Sequence, residues 1–513
     1  MSNASALFRS LVVYGLCLPL AVFLGYLLAN PLDFTTVTVV VAILFVLVLP
    51  LLLRWHHAWL IATWNSSAML FFLPGRPQVW MGLAAASFTI AILQYTLNRR
   101  MKFLHVPSVA RPLIFFTAVV LLTARLTGGL AVRVLGGDTY GGKNYFIMFA
   151  AILGYFAIIN RQIPPKRANL YVALFFLGGA TPVIGELGGR VSPALNFLFL
   201  LFPLTSMSAF TDQHSVAGPT SLVMHLFGLS TLGMMVFNLM LARYGIRGVL
   251  DTAKPLRLGV FCFFVLVGLL GGFRGTLVII VMTFGLLFFL ERLHQTRLLL
   301  PVILVSLAIG GLATLFATRL PLPLQRTLAV VPFIQVDPLA KISAETSSNW
   351  RLEMWRDLLP QIPRYLLVGK GYAFSANEQM QLAMSRQSME STELTGNYHN
   401  GPLSVILPFG IFGSIAFVWL LAAGIRVVYD NYQFGDPAYH NANTFLFAYF
   451  VVKVIFFFAV FGGLSSDLPT FLGLLGLSIS LNGGVAKPAF VPQPKMVFNR
   501  FKLHPSVRRP IGA

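Results

Sequence analysis

Few residues in this sequence can do chemistry, and most of them sit in apolar surroundings where charge is costly. Arg274 lies in the turn Gly271-Gly272-Phe273-Arg274-Gly275-Thr276, between two apolar runs that are each near the lower length limit for crossing a membrane. A cation at or just below a bilayer surface either snorkels to water or meets an anion, and both readings are open for Arg274. Arg351 lies in Asn349-Trp350-Arg351-Leu352-Glu353-Met354-Trp355-Arg356-Asp357-Leu358-Leu359, which reads as a helix capped by Asn349 and stopped by Pro360. Tryptophans beside arginines also suit a helix lying on a membrane, so an anchoring role competes with a site role. His399, in Gly396-Asn397-Tyr398-His399-Asn400-Gly401-Pro402, opens a long apolar run. It is either a hydrogen-bonded structural residue or a catalyst. Lys453 falls midway along Thr444 to Phe461, where a buried cation implies a partner within or between helices. The acids Asp337, Glu345, Glu353 and Asp357 do not cluster as ligands for a divalent cation would. There is no phosphate loop, paired-histidine metalloprotease helix or nucleophile elbow. The expected chemistry uses no metal and no cofactor.

The elements that must position these residues are membrane helices. Hydrophobic residues make up 57% of the 513 and charged residues only 10%, a balance that no soluble fold can bury. The apolar windows, from 11–29 to 468–485, support about 14 spans of roughly 20 residues each. They include separate windows at 35–53 and 58–74. The run Ser192 to Phe210, with two prolines, is read as re-entrant, incomplete or half of a shared crossing. The net charge is +21, and its basic residues concentrate in alternate connections: 99–102, 161–167, 243–257, 292–297 and the tail 487–509. The positive-inside rule places those connections and both termini in the cytosol and explains the charge without nucleic acid. Cys17 and Cys262 both sit in apolar runs and suggest neither a disulfide frame nor a metal site. No cleavable signal peptide is expected, since the first apolar run has little basic flank beyond Arg9.

The expected fold is therefore all-α: a polytopic transmembrane helix bundle with one large folded outer, periplasmic loop. Residues 1–317 form an N-terminal bundle, 318–401 the loop, 402–485 the last spans and 486–513 a basic cytosolic tail. The loop carries eight basic and seven acidic residues, and its aromatic and apolar content argues that it is folded.

Three segments in this order resemble the O-antigen ligase and polysaccharide polymerase superfamily of membrane glycosyltransferases. They are the turn Gly272-Phe273-Arg274-Gly275, the helix Trp350-Arg351-Leu352-Glu353-Met354-Trp355 followed by Gly369-Lys370-Gly371, and His399-Asn400 opening a span with Gly410-Ile411-Phe412-Gly413. The similarity covers roughly 258–425. Phe273 departs from the family's usual serine, Leu366 from a common proline, and Gly401-Pro402 from larger residues. The resemblance implies transfer of a glycan from an undecaprenyl diphosphate carrier to a glycan or lipid A core acceptor, at the outer face of the cytoplasmic (inner) membrane. It implies His399 as general base and Arg274 and Arg351 as diphosphate ligands, with Asn400, Arg356 and Lys453 in supporting roles. Ligase and polymerase remain undecided. A transporter or flippase of lipid-linked glycans is the alternative from another class, though inverted repeats and ion-binding broken helices are not evident. A membrane scaffold would leave these residues unexplained.

Overall fold

The computed structural model describes residues 34–71, 73, 75–97, 104–128, 141–203, 225–375, 377–378, 380 and 396–488, with isolated positions between 14 and 25. The expected span at 11–29, the end of the 193–210 run and most of the basic tail lie outside the described residues. What is described is helical and contains no strand.

In chain order the main helices are α1 (Phe34–Thr63), α2 (Val79–Leu97), α3 (Pro107–Thr127), α4 (Gly142–Ile159), α5 (Ala168–Gly178) and α6 (Pro182–Val191). They continue with α7 (Phe227–Val249), α8 (Pro255–Leu270), α9 (Arg274–Leu290), α10 (Leu299–Phe316), α11 (Leu322–Leu328) and α12 (Pro338–Leu358). The last three are α13 (Gly401–Phe434), α14 (His440–Ala459) and α15 (Leu464–Asn482). Among the described residues eight helices are long and apolar enough to cross a membrane, or nine if the pair Pro165–Gly178 and Pro182–Gly188, bent by 43°, is one span. Helices α8 and α9 are apolar but shorter, at 16 and 17 residues.

Two details differ from the sequence reading. The windows at 35–53 and 58–74 are not two spans, because α1 runs unbroken through Pro50 to Thr63. Within the polar run Arg54 to His57, which separates those windows, Arg54 is exposed while both histidines are buried, with His57 Nε2 2.8 Å from the Ile158 carbonyl. The second difference is the helix carrying Arg351, which begins eleven residues before the expected cap. Its N-cap is Asp337, whose carboxylate accepts from the Leu339 amide at 2.8 Å, with Pro338 in the first turn. Asn349 lies inside it, and beyond Leu358 the chain continues as a short 3-10 turn, Leu359–Gln361.

Helix α15 packs against α4, α3 against α13, and α7 against α8 and α14. Connection 318–400 is tied into this bundle at a break. Helix α13 contains Pro408 and is interrupted at Gly410, whose φ of 62° and ψ of −160° are not helical. Carbonyls freed there would be costly inside an apolar bundle unless something accepted the role of partner. The Gly369-Lys370-Gly371 turn does so. The Lys370 amide donates to the Leu407 carbonyl (2.7 Å), the Gly371 amide to that of Pro408 (3.0 Å), and the Ile411 amide to that of Leu366 (2.7 Å). Gly371 has φ 68°, and a Cβ there would collide with Thr127 Oγ1 and sit 2.8 Å from the Tyr145 hydroxyl. Gly371→Ala should therefore cost roughly 1–3 kcal/mol from the backbone conformation alone, read as earlier thermal unfolding of the purified protein in detergent.

Candidate active site

The face of α12 turned toward the bundle presents Ser343, Ser347, Ser348 and Arg351, spaced so that they line one side of a helix. Further along the same side, Met354 and Leu358 pack with Tyr398, Leu403 and Leu407 at the start of α13. The Trp355 indole donates to the Tyr398 carbonyl at 2.9 Å. One side of the helix is thus packed, on the bundle in its first half and on the start of α13 in its second, while Leu352, Glu353, Arg356 and Asp357 on the other side are exposed.

Beneath it is a cavity of about 520 Å³. Arg274 and Thr276 at the start of α9, Arg326 of α11 and Arg351 of α12 line it, together with His225, Ser230, Phe273, Lys453, Phe461 and Asp467. The hairpin arginine reaches the helix of the other, since Arg274 Nη2 donates to Ser348 Oγ at 3.1 Å. Arg326, only 7% exposed, donates through Nε to Ser343 Oγ (3.0 Å) and through Nη1 to the Gly272 carbonyl (2.8 Å). The guanidinium of Arg351 sits over the Phe461 ring at 5.4 Å, and its buried Nε has no hydrogen-bond partner.

None of the three arginines has a carboxylate partner among the described residues. The one acid on the cavity wall, Asp467, is committed elsewhere: Oδ1 accepts from Lys453 Nζ at 3.0 Å and Oδ2 from the Gly463 amide at 3.0 Å. Burial, with Arg274 and Arg351 nearby, pushes Arg326 down to about 10, and burial and Arg274 lower Arg351. Both remain cationic at neutral pH. Three uncompensated cations, two of them held by neutral oxygens, form a site that an anion would stabilise.

His399 stands beside the cavity and is not on its wall. It immediately precedes α13, has a positive φ of 49° and is 8% exposed. Its ring lies 5.2 Å from that of Trp350 and 5.1 Å from that of Phe461, the residue it shares with the cavity and with Arg351. Nδ1 is buried without a partner. Burial and the Arg351 charge lower its pKa to about 4, so the ring is neutral in the free protein at ordinary pH.

The other expected residues divide. Lys453 is on the cavity wall and its partner is Asp467. Asn400 is the N-cap of α13, accepting from the Leu403 amide at 3.1 Å. Arg356 is exposed and does not line the cavity, because five residues of helix place it about 140° around from Arg351. Sequence reasoning missed Arg326 and His225. The available signal for Arg326 was a lone cation in the apolar stretch Leu320 to Val331, with no acid before Asp337.

Residues 256–418 match the O-antigen ligase family. The match bears out the resemblance to the O-antigen ligase and polysaccharide polymerase superfamily over about a third of the chain. The matched segment contains Arg274, Arg326, Arg351 and His399, whereas His225, Lys453 and Asp467 reach the same cavity from outside it. No curated protein matches the chain.

Proposed function

We propose that this chain is a metal-independent glycosyltransferase that moves a glycan from undecaprenyl diphosphate to an acceptor hydroxyl at the outer face of the cytoplasmic membrane. The C-terminal basic tail is then cytosolic, as the basic connections favour. The merging of two windows into α1 removes one crossing, and with it the even count that put the N-terminus on the same side. The observation that carries the reading is the cavity with three arginines and no free carboxylate, next to a buried neutral histidine. In this proposal Arg274 and Arg351 grip the diphosphate, whose planar guanidinium forks suit phosphate oxygens. The acceptor oxygen bonds to the anomeric carbon while the bond from that carbon to the diphosphate oxygen breaks, and the electron pair leaves with the diphosphate. His399 takes the acceptor's proton through the ring nitrogen exposed when the acceptor seats beside Phe461. The lipid diphosphate already carries the activation, so no nucleotide is required. The acceptor, a growing glycan or a lipid A core, distinguishes a polymerase from a ligase.

The broken helix α13 is the feature that would favour a transporter, since such breaks supply ion ligands. Its freed carbonyls are instead occupied by amides of residues 370 and 371, which supports the enzyme reading.

The direct test is transfer by purified protein, with lipid-diphosphate-linked glycan, acceptor and excess chelator. Activity should persist. Loss that magnesium or manganese restores would refute metal independence, and transport of the donor without transfer would favour the flippase.

The pH dependence follows from His399. A base with pKa near 4 in the free enzyme is deprotonated across the neutral range, so kcat/KM should hold constant down to about pH 5 and fall below it. A bound diphosphate offsets the Arg351 charge and raises the histidine's pKa, so the acid limb of kcat should lie at higher pH than that of kcat/KM. Coincident limbs in a pH–rate series would count against His399 as the group that titrates.

A further inference from the structure

The charges around the cavity do not match those of the donor. In a glycosylated lipid diphosphate both phosphates are diesters, and the group carries two negative charges. When the glycan leaves, the terminal phosphate becomes a monoester, whose second ionisation lies near pH ~6, and gains roughly one further charge at neutral pH. On the protein side Arg274, Arg326 and Arg351 supply three unpaired cations, while Lys453 is neutralised by Asp467.

We infer that the cavity is charge-matched to the freed lipid diphosphate and not to the glycosylated donor, so that the enzyme is inhibited by its own product, with Arg326 supplying the third charge. The inference rests on the proposed diphosphate site and adds a regulation of it. Arg326 suits the role by position as well as charge. Its two hydrogen bonds go to Gly272, on the hairpin of Arg274, and to Ser343, on the helix of Arg351. It is therefore a positioning residue for both, and it presents a charge that no protein group cancels. Bond breaking at the donor moves negative charge toward these cations, so what stabilises the developing charge also holds the product. Any reaction that removes the terminal phosphate of the freed carrier would relieve the inhibition.

The test compares three ligands on the full chain in detergent by calorimetry: a bare polyprenyl diphosphate, the matching monophosphate, and the glycosylated donor without acceptor. At pH 8 the bare diphosphate should bind about tenfold or more tightly than the donor, the scale expected for one added charge in a partly dehydrated site. The advantage should shrink toward pH 5, as the terminal phosphate takes up its proton. In the free protein the histidines that face the site titrate below this window, and the rise in His399 that a bound diphosphate causes applies to donor and bare carrier alike. His225 is pushed down to about 3 by burial and Arg326, and His399 to about 4. The remaining charged groups facing the site are Arg274, Arg326, Arg351 and the Lys453–Asp467 pair.

Arg326→Gln keeps a donor within reach of Ser343 but lacks both the charge and the reach to Gly272, and should narrow the preference for bare diphosphate over donor. In the unmodified protein, bare diphosphate binding no tighter than donor at pH 8 would overturn product inhibition while leaving the proposed function standing. Binding of neither would remove both. A preference that does not change between pH 5 and 8 would also overturn the charge argument, and that comparison does not depend on the variant folding.

Discussion

His399→Ala should bind lipid-linked donor as the unmodified protein does and transfer its glycan about 10²–10⁴-fold more slowly, the usual scale for losing a general base. The separation of binding from turnover follows from position. The cavity is lined by the arginines, whereas His399 meets its wall at the ring of Phe461. Removing the imidazole leaves all three cations in place, and with them the grip on the diphosphate. It also removes a ring with positive φ, so correct folding should be verified by size-exclusion chromatography and thermal unfolding before the rates are compared. Normal donor binding together with near-normal transfer would show that His399 serves structure at the mouth of α13 and takes no proton.

Arg351→Ala should fail in the opposite order. Loss of one charge-assisted contact to phosphate is worth roughly 1.5–3 kcal/mol, or about 10- to 150-fold in donor affinity. Turnover should fall further, because the same contact strengthens as negative charge develops on the leaving group. Arg351→Lys keeps the charge but loses the fork and should remain impaired. Stability gives a second readout. Arg351 has no carboxylate partner, its Nε is unsatisfied, and it repels Arg274. Without ligand its loss should therefore leave the thermal midpoint unchanged or raised, whereas loss of an anchoring residue would lower it. A ligand-free Arg351→Ala protein that unfolds markedly earlier, while still binding donor normally, would return the residue to a structural role.

Arg274 and Lys453 stood out in the sequence because a cation in apolar context needs a partner, whereas Arg351 stood out through its tryptophan helix and the resemblance which that helix carries. The partner of Lys453 was not legible: the sequence pointed to a pair within or between helices, and the structure supplies Asp467 on the next helix. Arg326 was hidden because connection 318–401 has mixed charge, and its one signal, a lone cation in the apolar stretch Leu320 to Val331, was passed over among eight basic residues. The true start of α12 was obscured by composition. Lys341 to Asn349 is rich in serine, threonine and asparagine, which bond locally to backbone and favour caps and turns, so Asn349 looked like a cap. Asp337-Pro338 was the better signal, since proline at the first helical position wastes no hydrogen bond. The merging of two expected spans into α1 shows the limit of hydropathy from the other direction. A short polar run ends a window but not a helix when neighbouring helices can take up its side chains.

The seating of residues 369–371 in the break of α13 bears on how this protein can be taken apart and recombined. Connection 318–400 looks like a cassette that could be exchanged for another of similar length, yet its backbone completes the hydrogen bonding of a span that begins after it ends. A graft cut at residues 318 and 400 would bring a foreign turn to Leu407 and Pro408, with no guarantee that its amides meet their carbonyls. The heritable module is accordingly larger than the connection. It runs from the Arg274 hairpin through the end of α13 at Phe434, and chimeras that respect that seam should insert and fold where shorter swaps do not.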